Sequence, residues 1–179
     1  KNEPLNVKSD FALGLHIPGR YDKVLDINQC HIQNNIANKI LNIVKEHSQH
    51  MEPYDIIKHK GFLRNLMIRH AFNTNQTMVN IVTAFEDTDI LKPIVTKLVQ
   101  DVNSIASIVN NITTRKAGVS IGEYEVNLYG EKYIQETING LTFNISANSF
   151  FQTNTNQTEK LYSMIIEESD LKKTDIVYD

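Results

Sequence analysis

One cysteine, Cys30, stands in a chain of 179 residues, which excludes an internal disulfide and any paired-cysteine metal motif within the chain. Glycine is scarce, seven in all with none after Gly140, so the final segment carries no Gly-rich phosphate loop. Positive charge is not in excess: 18 Lys and Arg against 21 Asp and Glu leave a net charge of -3. The balance gives no electrostatic case for nucleic acid, although it says nothing of local patches. No apolar run is long enough to span a bilayer, and Lys1 opens on polar residues without a signal-peptide pattern. A cytoplasmic protein with no membrane partner is expected, and no obligate protein partner is evident.

What is present is ordinary for a folded domain, with 41% hydrophobic and 22% charged residues. Asn-x-Ser/Thr triplets at Asn111, Asn144 and Asn156 follow from an Asn-rich composition and carry no functional weight. Phe11 to Ile17 reads as a strand, Pro18-Gly19 as a turn, and Lys23 to Ile27 as a second strand. A helix then starts at or just after Cys30, with Ile32, Ile36, Ile40 and Val44 spaced by four, broadened by Leu41 and Ile43. Gly61 to Phe72 and Thr77 to Phe85 flank a polar turn and predict a hairpin. Asp87 or Thr88 caps a helix from Asp89 to about Val102, with Ile90, Ile94, Leu98 and Val102 inward and Pro93 in the first turn. Ile105 to Thr113 reads as another strand. These elements predict an α+β domain, an antiparallel sheet with helices on one face.

The stretch from Tyr133 to Tyr162 organises the rest. Asn139-Gly140 supplies the positive-φ pair of a tight hairpin turn, and Leu141, Phe143 and Ile145 alternate with Thr142, Asn144 and Ser146. The alternation breaks at Ser149-Phe150-Phe151-Gln152-Thr153-Asn154, an aromatic and polar elbow. A helix follows, capped by Asn154 with Gln157 or by Asn156 with Glu159, with Leu161, Tyr162, Ile165 and Ile166 on one side. Asp175 to Asp179 reads as a strand.

The run ISANSFFQTNTNQTEKLY, ending in DIVYD, resembles the SAM-dependent RNA uracil-C5 methyltransferase family. So do LGLHIPGRYDKVLDINQC, GFLRNLMIRHAF and VSIGEYEVNLYGEKYI, and the resemblance spans nearly the whole chain. It implies that residues 1–140 form a central, substrate-facing α+β domain. Residues 141–179 would then be the first helix and strand of a truncated Rossmann-like methyltransferase domain, with an RNA-binding barrel ahead of Lys1 and most of the catalytic domain beyond Asp179. In that family a cysteine thiolate adds to C6 of uracil, the C5 enolate takes the methyl of S-adenosylmethionine (SAM), a base removes the C5 proton and the thiolate leaves. Nucleophile and base both lie C-terminal to DIVYD, so this chain holds no catalytic residue and is expected to be inactive alone.

The resemblance also implies roles for particular residues. Gln152 would line the SAM site, where an amide can hydrogen-bond a polar cofactor; the alternative on the residues alone is a cap for the following helix. Phe150 and Phe151 would place one ring toward a flipped uracil and one in the core, or both in the core. Arg64 and Arg69, with Arg20, Lys23, Arg115 and Lys116, are candidates for RNA phosphate contacts, or for a solvated surface. Cys30, closing LDINQC, would be the last of four thiolate ligands of an iron-sulfur cluster in the 23S ribosomal RNA branch, or else a small buried residue at a helix start. It favours ribosomal RNA over tRNA. His47 and His50 lack further metal ligands. The competing readings are a tRNA uracil-C5 methyltransferase and a non-catalytic RNA-binding or scaffold protein on the same domain.

Overall fold

β-Branched runs in mid-chain build the central sheet, and the apolar faces of two helices close over it. The computed structural model describes residues 11–116 and 121–178. In chain order the elements are β1 (Gly14–Ile17), β2 (Arg20–Asp26), α1 (Asn35–His47), β3 (Leu63–Ala71), β4 (Gln76–Thr83) and α2 (Thr88–Asp101). They continue as β5 (Ile105–Ile112), β6 (Tyr124–Gly130), β7 (Tyr133–Ile138), β8 (Leu141–Ser146) and α3 (Thr155–Glu168). β3, β4, β5 and β6 lie side by side in that order, while β1–β2 and β7–β8 are separate hairpins.

The sheet is mixed rather than antiparallel. β4 and β5 run parallel, because α2 crosses over the sheet between them and returns the chain in the same direction. β6, in the stretch quoted above only for its resemblance, forms the outer strand on β5.

Alternation along β4 and β5 sorts the two faces. Val79, Ile81, Ile105 and Ile108 pack under Ile40, Ile43 and Val44 of α1 and Leu91, Ile94 and Leu98 of α2. Met78 and Val109 point the other way, to Ile134, Ile145 and Ala147 of the β7–β8 region. α1 and α2 therefore share one face, as expected, and the last hairpin covers the other.

Local chemistry explains where the sequence expectation differs. Asn34 caps α1, its Oδ1 accepting from the Ala37 N–H at 2.7 Å, so Ile32 falls ahead of the helix and is 96% exposed. In α2 the cap is Asp87, whose Oδ1 accepts from the Ile90 N–H. The inward stripe begins at Leu91 and not at Ile90, and Pro93 lies beyond the first turn, where it removes one helical hydrogen bond. The last hairpin turns as expected, with Asn139 at φ 48° and Gly140 at φ 78°. Leu141 nevertheless stays exposed, and Ile145 is the buried member of its row.

Residues 175–178 form no strand. A strand needs a neighbour to pair with, and none lies beside them among the described residues; Asp179 lies outside those. No described helix is long and apolar enough to cross a membrane.

The β1–β2 hairpin is tied to α1 through Asp26. Its carboxylate accepts from Lys45 Nζ and from the Leu13 N–H, and these bonds, the lysine first, hold its pKa below the usual value. A depressed carboxyl contributes above its unfolded pKa of about 3.9 and stops contributing as pH falls through the folded value. Asp26→Asn is expected to speed amide exchange in β1–β2 at pH 7 while leaving the central sheet unchanged. The wild-type hairpin should show the same loosening only under acid.

Candidate functional site

The elbow after β8 is held at several points. Ser149 Oγ accepts from the Ser146 N–H at 3.0 Å and donates back to its carbonyl at 3.1 Å, closing a tight turn. Asn148 is clamped between two strands. Its Oδ1 accepts from Asn111 Nδ2 of β5 at 2.6 Å and its Nδ2 donates to Glu125 Oε1 of β6 at 2.7 Å. Gly122 lets the chain pass over this clamp, since a Cβ there would lie 1.8 Å from Asn111 Oδ1. Arg69 Nη2 donates to the Ala147 carbonyl at 3.3 Å. Arg69 is half-buried on the hairpin side of the sheet, where desolvation lowers its pKa from the usual value.

On this fixed segment the two adjacent rings diverge. Phe151 turns inward, against the hairpin-side core and 5.9 Å from the Phe143 ring at 57°. Phe150 is 84% exposed. Gln152 is exposed as well, and its amide makes no hydrogen bond among the described residues. It does not cap α3; Asn154 does, its Oδ1 accepting from the Gln157 N–H at 3.1 Å. Phe150 and Gln152 thus stand outward with the partly buried Phe151 between them.

The elbow has a support that sequence reasoning missed. Glu136, in β7, is 1% exposed. It accepts from the Phe72 and Asn73 N–H groups of the β3–β4 turn, from its neighbour Thr137 N–H, and from the Thr155 hydroxyl at the start of α3. The signal was a charged residue in the inward row Ile134, Glu136, Ile138, where the period demands an apolar side chain.

A second feature lies where β4 and β5 end. Tyr54, His59, Lys60, Gly61, Arg64, Ala84, Phe85, Thr114 and Lys116 line an open cleft of about 350 Å³. The Arg64 guanidinium lies 4.0 Å above the Tyr54 ring centroid, and its Nη1 donates to the Thr113 carbonyl at 3.2 Å. Phe85 is half-exposed and its ring meets Phe62 at 4.9 Å. At the rim, Glu123 accepts from the Thr114 N–H and hydroxyl and lies 3.7 Å from Arg115 Nε; the Thr114 N–H is the chief cause of its lowered pKa.

The cleft and the elbow share the C-terminal end of β5: Asn111 holds Asn148, and Thr113 holds Arg64. The structure separates the arginines that the sequence grouped together. Arg64 and Lys116 line the cleft, Arg115 pairs with Glu123, Arg69 lies beneath the elbow, and Arg20 pairs with Asp22 on the β1–β2 hairpin at 2.8 Å.

Cys30 is partly exposed, and its main chain is pinned by Asn38, whose Oδ1 accepts from the Cys30 N–H at 2.8 Å and whose Nδ2 donates to its carbonyl at 3.1 Å. Among the described residues no three His, Cys, Asp or Glu side chains gather as a metal set, and Cys30 is the one thiol among them where an iron-sulfur cluster would need four ligands. His47 is tied to its own helix through Ile43 O.

No family model matches the chain. It is 41% identical over 172 residues to an uncharacterized RNA methyltransferase of Chlorobaculum tepidum, covering 94% of this chain and 36% of that protein. An uncharacterized RNA methyltransferase of Clostridium acetobutylicum is 36% identical, over 89% of this chain and 35% of its own length. The chain therefore spans about a third of these curated relatives. Among solved structures, the Pyrococcus abyssi tRNA (uracil-54, C5)-methyltransferase in complex with S-adenosyl-L-homocysteine superposes with a TM-score of 0.71 and 28% identity, over 89% of this chain and 39% of that one.

Proposed function

We propose that this chain is the substrate-facing segment of a SAM-dependent RNA methyltransferase that modifies C5 of a uridine. The observation that carries the reading is the elbow, which presents an exposed aromatic ring and an unpaired amide, Phe150 and Gln152, from a backbone clamped by Asn148. A flipped base needs a ring to stack on, and a polar cofactor needs a hydrogen-bonding group in register with it. SAM supplies the methyl group when bound. This chain's part is to orient cofactor and base, Gln152 through its amide and Phe150 through its ring face.

The cysteine that adds to C6 and the base that removes the C5 proton are supplied by the remaining two-thirds of such an enzyme. The apolar side chains of α3, Leu161, Ile165 and Ile166, are half-exposed or more, and that remainder would pack on them. Methylation by the isolated chain is accordingly expected to be nil.

RNA enters along the cleft, where Lys60, Arg64 and Lys116 supply charge for phosphates, and Tyr54 and Phe85 supply rings. The local patch outweighs the chain's overall negative balance. Ribosomal RNA is favoured by Cys30 in its LDINQC context, while the solved neighbour acts on tRNA.

The test is methyl transfer from labelled SAM to total RNA by the full-length parent, with the product nucleoside identified by mass spectrometry. The expected product is 5-methyluridine, and its mapped position separates ribosomal from transfer RNA. RNA binding without methyl transfer would replace this reading with the scaffold.

A further inference from the structure

We propose that Glu136 is a positioning residue for the elbow: its buried carboxylate joins the central sheet to the first turn of α3 and thereby sets where Phe150 and Gln152 stand. The inference rests on the functional reading above for what the elbow does, but its mechanical part rests on geometry alone.

Each carboxylate oxygen takes two donors. Oε2 accepts from the Phe72 N–H at 2.5 Å and from Thr155 Oγ1 at 2.8 Å; Oε1 accepts from the Asn73 N–H at 3.0 Å and the Thr137 N–H at 2.9 Å. None of these donors is a cation, and no described ion pair includes Glu136. Main-chain N–H groups and the first turn of α3 face the carboxylate instead, and a titratable side chain near enough to feel it is His70, half-buried on β3.

A purely structural site would favour an apolar side chain here. Glu136 sits between Ile134 and Ile138 on the inward face of β7, and burying a carboxylate carries a desolvation cost where burying a third isoleucine would stabilise. What the carboxylate adds is a joint. It satisfies two N–H groups at the β3–β4 turn and, through the same atoms, fixes Thr155, the first residue of α3, which is 6% exposed.

The elbow runs from Ser146 to Thr155, and Glu136 governs both of its ends. The near end is β8, paired residue by residue with β7; the far end is Thr155. Asn139 reinforces the far end, its N–H donating to Glu159 Oε1 of α3 at 3.2 Å. With both ends fixed and Asn148 clamped close to the β8 end, the eight-residue passage has little freedom left.

The test uses the full-length parent and two variants. Glu136→Gln keeps the size but turns one oxygen into a donor facing N–H groups. Thr155→Val removes one donor and leaves the carboxylate. Glu136→Gln is expected to raise the Kd for SAM about tenfold, the equivalent of one lost charged hydrogen bond. Amide exchange across residues 147–158 should accelerate and kcat/KM for RNA should fall, because Phe150 moves with Gln152, while RNA affinity, which rests on the cleft, stays within about twofold. Thr155→Val should show the same split with a smaller effect, and it decides the matter if Glu136→Gln does not fold.

Unchanged exchange across 147–158 in a folded variant would overturn the proposal. So would a parallel loss of SAM binding, RNA binding and thermal stability, which marks a residue that only stabilises. If the parent binds no SAM, the functional reading fails; accelerated exchange confined to the elbow would still show the joint.

Discussion

In the full-length parent, Phe150→Ala and Phe151→Ala, substitutions at adjacent and chemically identical residues, are expected to fail in different ways. Phe150 is 84% exposed, so its removal should leave the melting temperature nearly unchanged. If it stacks on the target base, its loss removes about 1–3 kcal/mol, or roughly 5- to 150-fold in kcat/KM for RNA. Phe151 packs against Phe143 and the hairpin-side core, and its truncation should destabilise the protein by about 1–3 kcal/mol. Gln152→Ala should raise the KM for SAM by roughly 5- to 30-fold, the worth of about 1–2 kcal/mol, with stability unaffected because its amide supports nothing in the fold. Thermal melts beside steady-state kinetics on the three variants check this. Equal loss of stability at Phe150 and Phe151, or wild-type kinetics for Phe150→Ala and Gln152→Ala, would remove the elbow from the site.

The same doublet shows how much was legible in the sequence. Broken alternation after Ile145 located the elbow, and the spacing of apolar residues located α1, α2, the β3–β4 hairpin and the last hairpin, because each buries a face with its own period. Which ring faces inward was not legible: it depends on Asn148 being clamped by Asn111 and Glu125, more than twenty residues away in the chain. The parallel pairing of β4 with β5 was missed for a related reason, since periodicity reports a face and not a direction. Glu136 was visible as a charge in an inward row, but its partners belong to the β3–β4 turn and to α3, which only the fold brings together. Reading Asp175 to Asp179 as a strand relied on the local pattern and on the family resemblance, and neither supplies a neighbour to pair with among the described residues. Grouping the arginines by charge likewise could not foresee that Arg69 turns under the elbow while Arg64 lies on Tyr54.

The separation of those arginines makes the second large prediction specific. Lys60 and Lys116 reach the cleft from opposite sides of the sheet end, one ahead of β3 and one after β5, and both are exposed. Each phosphate neutralised by a lysine releases condensed counterions, so affinity falls with salt in proportion to the number of such contacts. For the double variant Lys60→Ala, Lys116→Ala, RNA affinity at low salt is expected to drop by an order of magnitude or more, and the slope of log K against log salt should become shallower by about 1.4–1.8. Neither lysine has an ion-pair partner among the described residues, so the fold and the SAM affinity should be unchanged. Reversing the same charges to glutamate should deepen the loss, since like charges then face the backbone. Filter binding over a salt series provides the measurement. A uniform drop in affinity with the wild-type slope would mean that the lysines act through packing, and RNA would have to approach the elbow from elsewhere. A lost slope with intact SAM binding would place the phosphate contacts in the cleft, next to the clamp that holds Phe150 outward.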